Sequence, residues 1–250
     1  MGLTLEVHEL AFGYGRTPIL RGVTLPAVRS AEVTAVIGPN GSGKSTLLRC
    51  IAGFHRVQGK VAVSGGAGSG DILYLPQDPP PPSSITVFEA VMLALRIGRY
   101  SGPQRSYELQ VATTLTALGL NTFATRRLAD LSGGQRQLVG LAQAMARRPG
   151  VLLLDEPTSN LDLRNQLQVF RLVRDIATTQ QTAVLTVVHD LALAAWVADH
   201  VVVLANGVVH SSGPPAEVIT PEMLRDVYQV AGSVHRTPDG TLTVAVTDSL

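Results

Sequence analysis

Gly38-Pro39-Asn40-Gly41-Ser42-Gly43-Lys44-Ser45-Thr46 is the stretch around which the chain is organised. It fits G-x-x-x-x-G-K-[ST], the pattern of a loop that cradles phosphates. Its flanks fit as well. Val33-Thr34-Ala35-Val36-Ile37 is a β-branched apolar run, suited to a buried parallel strand. Ser45 to Ala52 predicts a helix, with Leu47, Leu48 and Ile51 on one side and Gly53 as its stop. Glycines let backbone N–H groups turn inward around phosphate oxygens. The helix N-terminus adds a partial positive charge. In this pattern Lys44 reaches the β- and γ-phosphates of a nucleotide and the Ser45 hydroxyl ligates Mg²⁺. The alternative is a glycine-rich turn that matches by chance. Strand, loop and helix in the right succession argue against it.

The 250 residues are 45% hydrophobic and 16% charged, enough apolar content for a globule with a large core. The formal net charge of +1 makes no electrostatic case for nucleic acid or an anionic membrane surface. Cys50 has no partner for an internal disulfide, which points to a reducing compartment. It reads as a small core residue rather than a reactive one. The N-terminus shows no basic region followed by an apolar run, and no uncharged run is long enough to span a bilayer. A soluble, cytoplasmic chain is expected.

Ahead of the loop, Leu3 to Val7, Ile19-Leu20 and Val23 to Leu25 read as short strands of a small antiparallel β region. Tyr14 lies between two glycines. It is either a strand aromatic packed on the core or a platform for a nucleotide base. Lys60 to Val63 is a short strand, Gly65 to Gly70 a flexible loop, and Ile72 to Leu75 a strand ending at Pro76-Gln77. Pro79 to Pro82 are expected to be extended. Thr86 and Glu89 form a capping box before a helix with Val87, Ala90, Val91, Ala94 and Leu95 on its apolar side. Ser106 to Leu118 is another helix, stopped by Gly119. Residues 83 to about 130 therefore read as a helical insertion. Leu131 to Gln135 opens a long helix ending near Arg147. Val151 to Leu154 is an apolar strand followed by Asp155-Glu156, Gln166 to Ile176 a helix, and Ala183 to Val188 a buried strand ending in His189. Asn206-Gly207 is a hairpin turn between Val201 to Leu204 and Val208-Val209. A last strand is expected at Leu242 to Val246. The fold class is α/β: a phosphate-loop core on a mostly parallel sheet, an N-terminal antiparallel β subdomain and an inserted α-helical subdomain.

Leu131-Ser132-Gly133-Gly134-Gln135 makes a resemblance specific. With the phosphate loop and the acidic pair, the sequence resembles the ATP-binding-cassette ATPases, the nucleotide-binding subunits of ABC transporters. The match covers essentially the whole chain, 1–250, as a single domain. A helical subdomain spans about 83–148, and a short tail about 229–250. The resemblance implies roles. Asp155 is similar to the Walker B aspartate that holds Mg²⁺, together with Ser45 and Gln77. Glu156 resembles the glutamate that polarises the attacking water. Gln77 matches the Q-loop, Ser159-Asn160-Leu161-Asp162 the D-loop, His189 the switch histidine and Tyr14 the aromatic that stacks on adenine. Gly38 to Thr46 bind the ATP of their own chain. Ser132, Gly133, Gly134 and Gln135 close over the ATP of a second copy, head to tail.

The resemblance also implies partners: separate transmembrane permease subunits and, indirectly, a periplasmic or lipoprotein solute-binding protein, but no nucleic acid. It places the chain at the cytoplasmic face of the inner membrane. Asp155 to Asp162, His189 to Leu191 and Gly213 to Leu224 resemble ATPases of iron–siderophore, haem and cobalamin importers. Importers of other metals or small solutes, exporters, non-transport cassette proteins and non-hydrolysing scaffolds are the competing readings. The last needs a broken Glu156 or His189, and neither is broken. Three features depart from the family pattern: Ala31-Glu32 in place of Gly-Glu, a short segment between Gly59 and Gln77, and the four prolines.

Overall fold

In chain order, β1 (Thr4–Tyr14) and β2 (Thr17–Arg29) form a hairpin, and β3 (Val33–Ile37) leads through the phosphate loop into α1 (Lys44–Ile51). β4 (Gln58–Ser64) returns to pair with β1, and β5 (Ile72–Leu75) follows. Next come α2 (Val87–Ile97), α3 (Gln104–Ala117) and α4 (Gly133–Arg147), then β6 (Val151–Asp155), α5 (Leu163–Gln180) and β7 (Ala183–Val187). α6 (Leu191–Val197) precedes the hairpin of β8 (His200–Ala205) and β9 (Val208–Gly213). α7 (Pro215–Val218), α8 (Pro221–Tyr228) and a hairpin of β10 (Val230–Arg236) and β11 (Leu242–Ser249) come last. This computed structural model describes residues 2–65, 72–97, 103–159, 161–238 and 241–250. Gly66 to Gly70 of the expected loop and Asn160 of the Ser159–Asp162 stretch lie outside the described residues.

The central sheet has six strands in the order β5-β6-β7-β3-β8-β9. All neighbours pair in parallel except β9, which turns back on β8 through Asn206-Gly207. Both turn residues have positive φ, 49° and 77°, as a tight primed turn demands. Successive strand residues face opposite sides. Val33, Ala35 and Ile37 join Leu152, Leu154, Val201 and Val203 in a core with the helices α2 to α6. Val36, Leu153, Val202 and Leu204 join a second core, with α1 and the antiparallel β2-β1-β4 sheet. The central strands β6, β7, β3 and β8 are therefore buried on both faces, as their continuous apolar runs require.

Two long N-terminal strands, of 11 and 13 residues, replace the short runs expected there. Their register breaks between Val7 and Leu10, beside Glu9 at φ 48°, and Gly22 on the partner has φ 84°. Bulges of this kind break the period-two pattern by which a strand is read. β10 escaped the sequence reading as well. Its Gly232 sits where an added Cβ would lie 2.7 Å from the Ala245 carbonyl oxygen and 3.1 Å from Leu224 of α8. A glycine reads as a loop in sequence, yet here it allows a close approach. The Thr86–Glu89 capping box forms as expected: the Thr86 backbone N–H donates to Glu89 at 2.7 Å, and the Glu89 N–H donates to Thr86 Oγ1 at 3.2 Å.

Ala31, one of the departures from the family pattern, has φ 67°. A side chain in that left-handed region costs about 1–2 kcal/mol. Glycine returns about 0.5–1 kcal/mol of that as lost chain entropy. Ala31→Gly is expected to hold or raise the midpoint of thermal unfolding, by up to about 6 °C for a chain of this size. A fall in calorimetric midpoint would contradict this reading of the turn.

Candidate functional site

The strand order explains how the site assembles. β5, β6, β7 and β3 are neighbours and parallel, so the segments that leave their C-terminal ends lie along one edge. Ligands of open α/β sheets bind at such an edge. Those segments carry Gln77, Asp155 with Glu156, His189, and the loop from Gly38 to Lys44.

The loop is shaped by glycines at positive φ: Gly38 at 147°, Gly41 at 78° and Gly43 at 104°. A Cβ on Gly38 would lie 2.0 Å from the Leu204 carbonyl oxygen of β8. The loop is thus pressed against the neighbouring strand. Lys44 is 5% exposed, and its Nζ donates to the carbonyls of Gly38 at 2.7 Å and Pro39 at 2.9 Å. Burial holds the Lys44 ammonium below its usual pKa, and the nearby Glu156 and Asp155 carboxylates oppose that shift. A cleft of about 250 Å³ opens at the loop, lined by Ile19, Asn40, Gly41, Gly43, Lys44, Ser45, Thr46 and Glu156. Ser42 Oγ is buried in the same loop, with no hydrogen-bond partner among the described residues. An orphaned hydroxyl in a loop bent by three glycines at positive φ fits a phosphate.

Asp155, at the end of β6, is 1% exposed. Ser45 Oγ donates to its Oδ1 at 2.9 Å and the Tyr74 hydroxyl to its Oδ2 at 2.8 Å. Arg49 Nε donates to the Tyr74 oxygen at 3.2 Å. Burial pushes the Tyr74 phenol up to about 12, so it stays a donor. One carboxylate, one hydroxyl and the Gln77 amide are hard oxygen donors, few in number, as suits Mg²⁺ shared with phosphates.

Glu156 follows at φ 49°, a strained conformation for a residue with a side chain. Gln77 Nε2 donates to its Oε2 at 2.8 Å, and His189 Nε2 lies 2.5 Å from its Oε1. His189 is held at the head of α6, where Asp190 accepts the Leu193 N–H at 2.9 Å.

Two expected groups stand apart from this network. Tyr14, half exposed, packs edge-on against Phe12 with ring centroids 5.0 Å apart, and its hydroxyl lies 3.3 Å from His55 Nε2. His55 in turn stacks on Phe12 at 4.5 Å. Ser132 caps α4: the Gln135 N–H donates to its Oγ at 3.3 Å, and the Ser132 N–H donates to Gln135 Oε1 at 2.9 Å. That capping box presents Gly133 and Gly134 in the first turn of a 15-residue helix. Residues 131–135 do not line the cleft at the phosphate loop. Cys50 is buried, and burial pushes its thiol up to about 11, consistent with an inert core residue.

Sequence reasoning missed Tyr74, Arg49 and the Phe12–His55 stack. Tyr74 sits inside the apolar run Ile72 to Leu75, where its polar tip was the one available signal.

The model of the family described as "ABC transporter" matches residues 21–159. The chain belongs to the ABC transporter family. Across 99% of its length it is 34% identical to the iron(3+)-hydroxamate import ATP-binding protein of Bacillus subtilis, covering 96% of that protein. It is 42% identical to the hemin import ATP-binding protein of Streptomyces coelicolor, over 90% of this chain and 81% of that one. It is 37% identical to the cobalamin import ATP-binding protein of Halobacterium salinarum over 97% of its own length, but spans only 63% of that relative. Among solved structures, one assigned to the metal-chelate type of ABC transporter, in an inward-facing conformation, superposes with a TM-score of 0.82. It is 28% identical, with 99% of this chain and 98% of that one covered. The expected fold class thus holds, and so does the family resemblance.

The tight seat of the phosphate loop generates a test. Gly38→Ala places a methyl group against the Leu204 carbonyl at a residue with φ 147°. The loop must shift, at a cost of about 1–3 kcal/mol. A lower thermal midpoint together with loss of nucleotide binding is expected. Unchanged nucleotide affinity would contradict this seat.

Proposed function

We propose that the chain is the ATP-hydrolysing subunit of an importer for an iron–siderophore complex, haem or cobalamin, working on a separate transmembrane permease. The observation that carries the ATPase reading is the joined pair of contacts along one sheet edge: Ser45 on Asp155, and Gln77 with His189 on Glu156. The import reading rests on the relatives, which are import ATP-binding proteins for hydroxamate iron, hemin and cobalamin.

In this reading the loop N–H groups from Gly41 to Ser45 and the Lys44 ammonium bind the β- and γ-phosphates. Tyr14 presents its exposed ring to the adenine, backed by Phe12 and His55. Ser45, Asp155 and Gln77 would hold Mg²⁺, which would supply charge neutralisation at the phosphate oxygens. Glu156 accepts a proton from water as the water oxygen attacks the γ-phosphorus. The bond to the β–γ bridging oxygen breaks, and ADP and phosphate leave. Gln77 and His189 aim the Glu156 carboxylate, and His189 also faces the γ-phosphate. Positioning and charge stabilisation supply most of the effect.

Ser132, Gly133, Gly134 and Gln135 form a second phosphate-facing surface at a helix N-terminus. Lying outside the cleft of their own loop, they serve the ATP of a second copy arranged head to tail. The helices from 83 to 148 form the arm that meets the permease. Between β5, α2 and α4 lies an apolar groove of about 240 Å³, walled by Leu73, Leu75, Ala94 and the exposed Leu93 and Ile97. It is the seat for a cytoplasmic helix of the permease at the inner membrane face. Among the described residues no helix is long and apolar enough to cross a membrane. In the import reading the passage across the membrane belongs to the separate permease. A solute-binding protein completes the import system.

Positioned acid–base catalysis is typically worth about 10²–10⁴-fold. Glu156→Gln is expected to lower ATP hydrolysis by that order while ATP binding survives. In a strain lacking the gene, uptake of labelled siderophore, haem or cobalamin is expected to return with wild type and not with Glu156→Gln. Hydrolysis by the variant within a few-fold of wild type would remove Glu156 from its role. Normal entry of all three solutes without the gene would overturn the solute assignment alone.

A further inference from the structure

Tyr74 is the one group bonded to the buried Asp155 carboxylate that the reading above leaves without a role. Its hydroxyl has a fixed direction. Arg49 is a donor only, so at 3.2 Å it takes a lone pair of the Tyr74 oxygen. The Tyr74 proton is left for Asp155 Oδ2, 2.8 Å away. Oδ1 is taken by Ser45 at 2.9 Å. The carboxylate is therefore held at both oxygens, and each holder comes from a different element: Ser45 from α1, Tyr74 from β5. The Tyr74 ring is itself set by Phe54, edge-on with centroids 5.5 Å apart.

The two hydroxyls are not equivalent once nucleotide binds. Ser45 is itself a metal donor in the proposed function: it would offer a lone pair to the metal and could keep its proton on Asp155 Oδ1. Tyr74 is no metal donor and keeps its bond. We propose that Tyr74 is a positioning residue that orients Asp155 for the metal of the metal–nucleotide substrate, with Arg49 fixing the direction of its hydroxyl. Without that hydroxyl, Oδ2 is buried with no side-chain donor among the described residues, and the carboxylate is held by side chains at Oδ1 alone. This inference rests on the ATPase reading of Asp155.

Partners that orient a metal ligand typically change metal affinity about 10–100-fold when removed. The probes are a non-hydrolysable ATP analogue and Mn²⁺, which shares the preference of Mg²⁺ for oxygen donors and is visible by electron paramagnetic resonance. Both are titrated against the full chain, as wild type and as Tyr74→Phe. Binding of the analogue in EDTA is expected to be equal in the two proteins. The Mn²⁺ concentration that half-saturates the protein–analogue complex is expected to rise about 10–100-fold in Tyr74→Phe. Equal Mn²⁺ affinity in the two proteins would overturn the inference and leave the ATPase reading intact. So would a parallel loss of metal-free analogue binding, which marks a merely structural role. A wild-type chain that binds the analogue but gains no Mn²⁺ site would instead overturn the ATPase reading, and this inference with it.

Discussion

Asp155 is a carboxylate with almost no access to water, and the structure is arranged to satisfy it. An isolated buried charge is expensive, so it needs donors close by. Ser45 supplies one from the first turn of α1 and Tyr74 another from β5. Those bonds tie the phosphate loop, the end of β6 and the segment leading to Gln77 into one unit. Because β5, β6, β7 and β3 lie side by side and parallel, the same edge also receives Glu156 and His189. The fold and the site follow from one requirement. Polar groups at the ends of apolar strands must find each other across the top of the sheet.

Charge is balanced locally at that edge. Lys44 is buried, and in this state its ammonium is satisfied by two carbonyls of its own loop rather than by a carboxylate. In the proposed function, phosphate oxygens would replace those carbonyls. Glu156 stays in a left-handed conformation with both carboxylate oxygens engaged. Backbone strain of this kind persists only where the surroundings over-determine it, and Gln77 and His189 supply that constraint.

Most of the parallel sheet was legible because its strands are uniform apolar runs that end in conspicuous polar residues. The loop from Gly38 to Thr46 was legible through its glycines and Lys44. Asp155, Glu156 and His189 could be placed at strand ends from the apolar runs that precede them. The antiparallel sheet was legible only in fragments, because bulges near Glu9 and Gly22 break its alternation. β10 was hidden by Gly232, whose value lies in a contact with α8 that no local pattern encodes. Tyr74 was hidden for a similar reason. Its partners Arg49 and Asp155 are distant in sequence, and one hydroxyl in an apolar strand carries no pattern. The aromatic at Tyr14 was visible, but its backing by Phe12 and His55 was not.

The proposed working unit is a pair of copies, with one nucleotide between the phosphate loop of one and the Ser132 helix start of the other. Ser132 and Gln135 are engaged in their own capping box and do not line the cleft at the phosphate loop. Light scattering of the Glu156→Gln protein with ATP and Mg²⁺ tests this most directly. An ATP-dependent doubling of mass is expected, and it should disappear in the Ser132→Arg, Glu156→Gln double variant while the monomer still binds ATP. A stable ATP-dependent dimer of the double variant would contradict it.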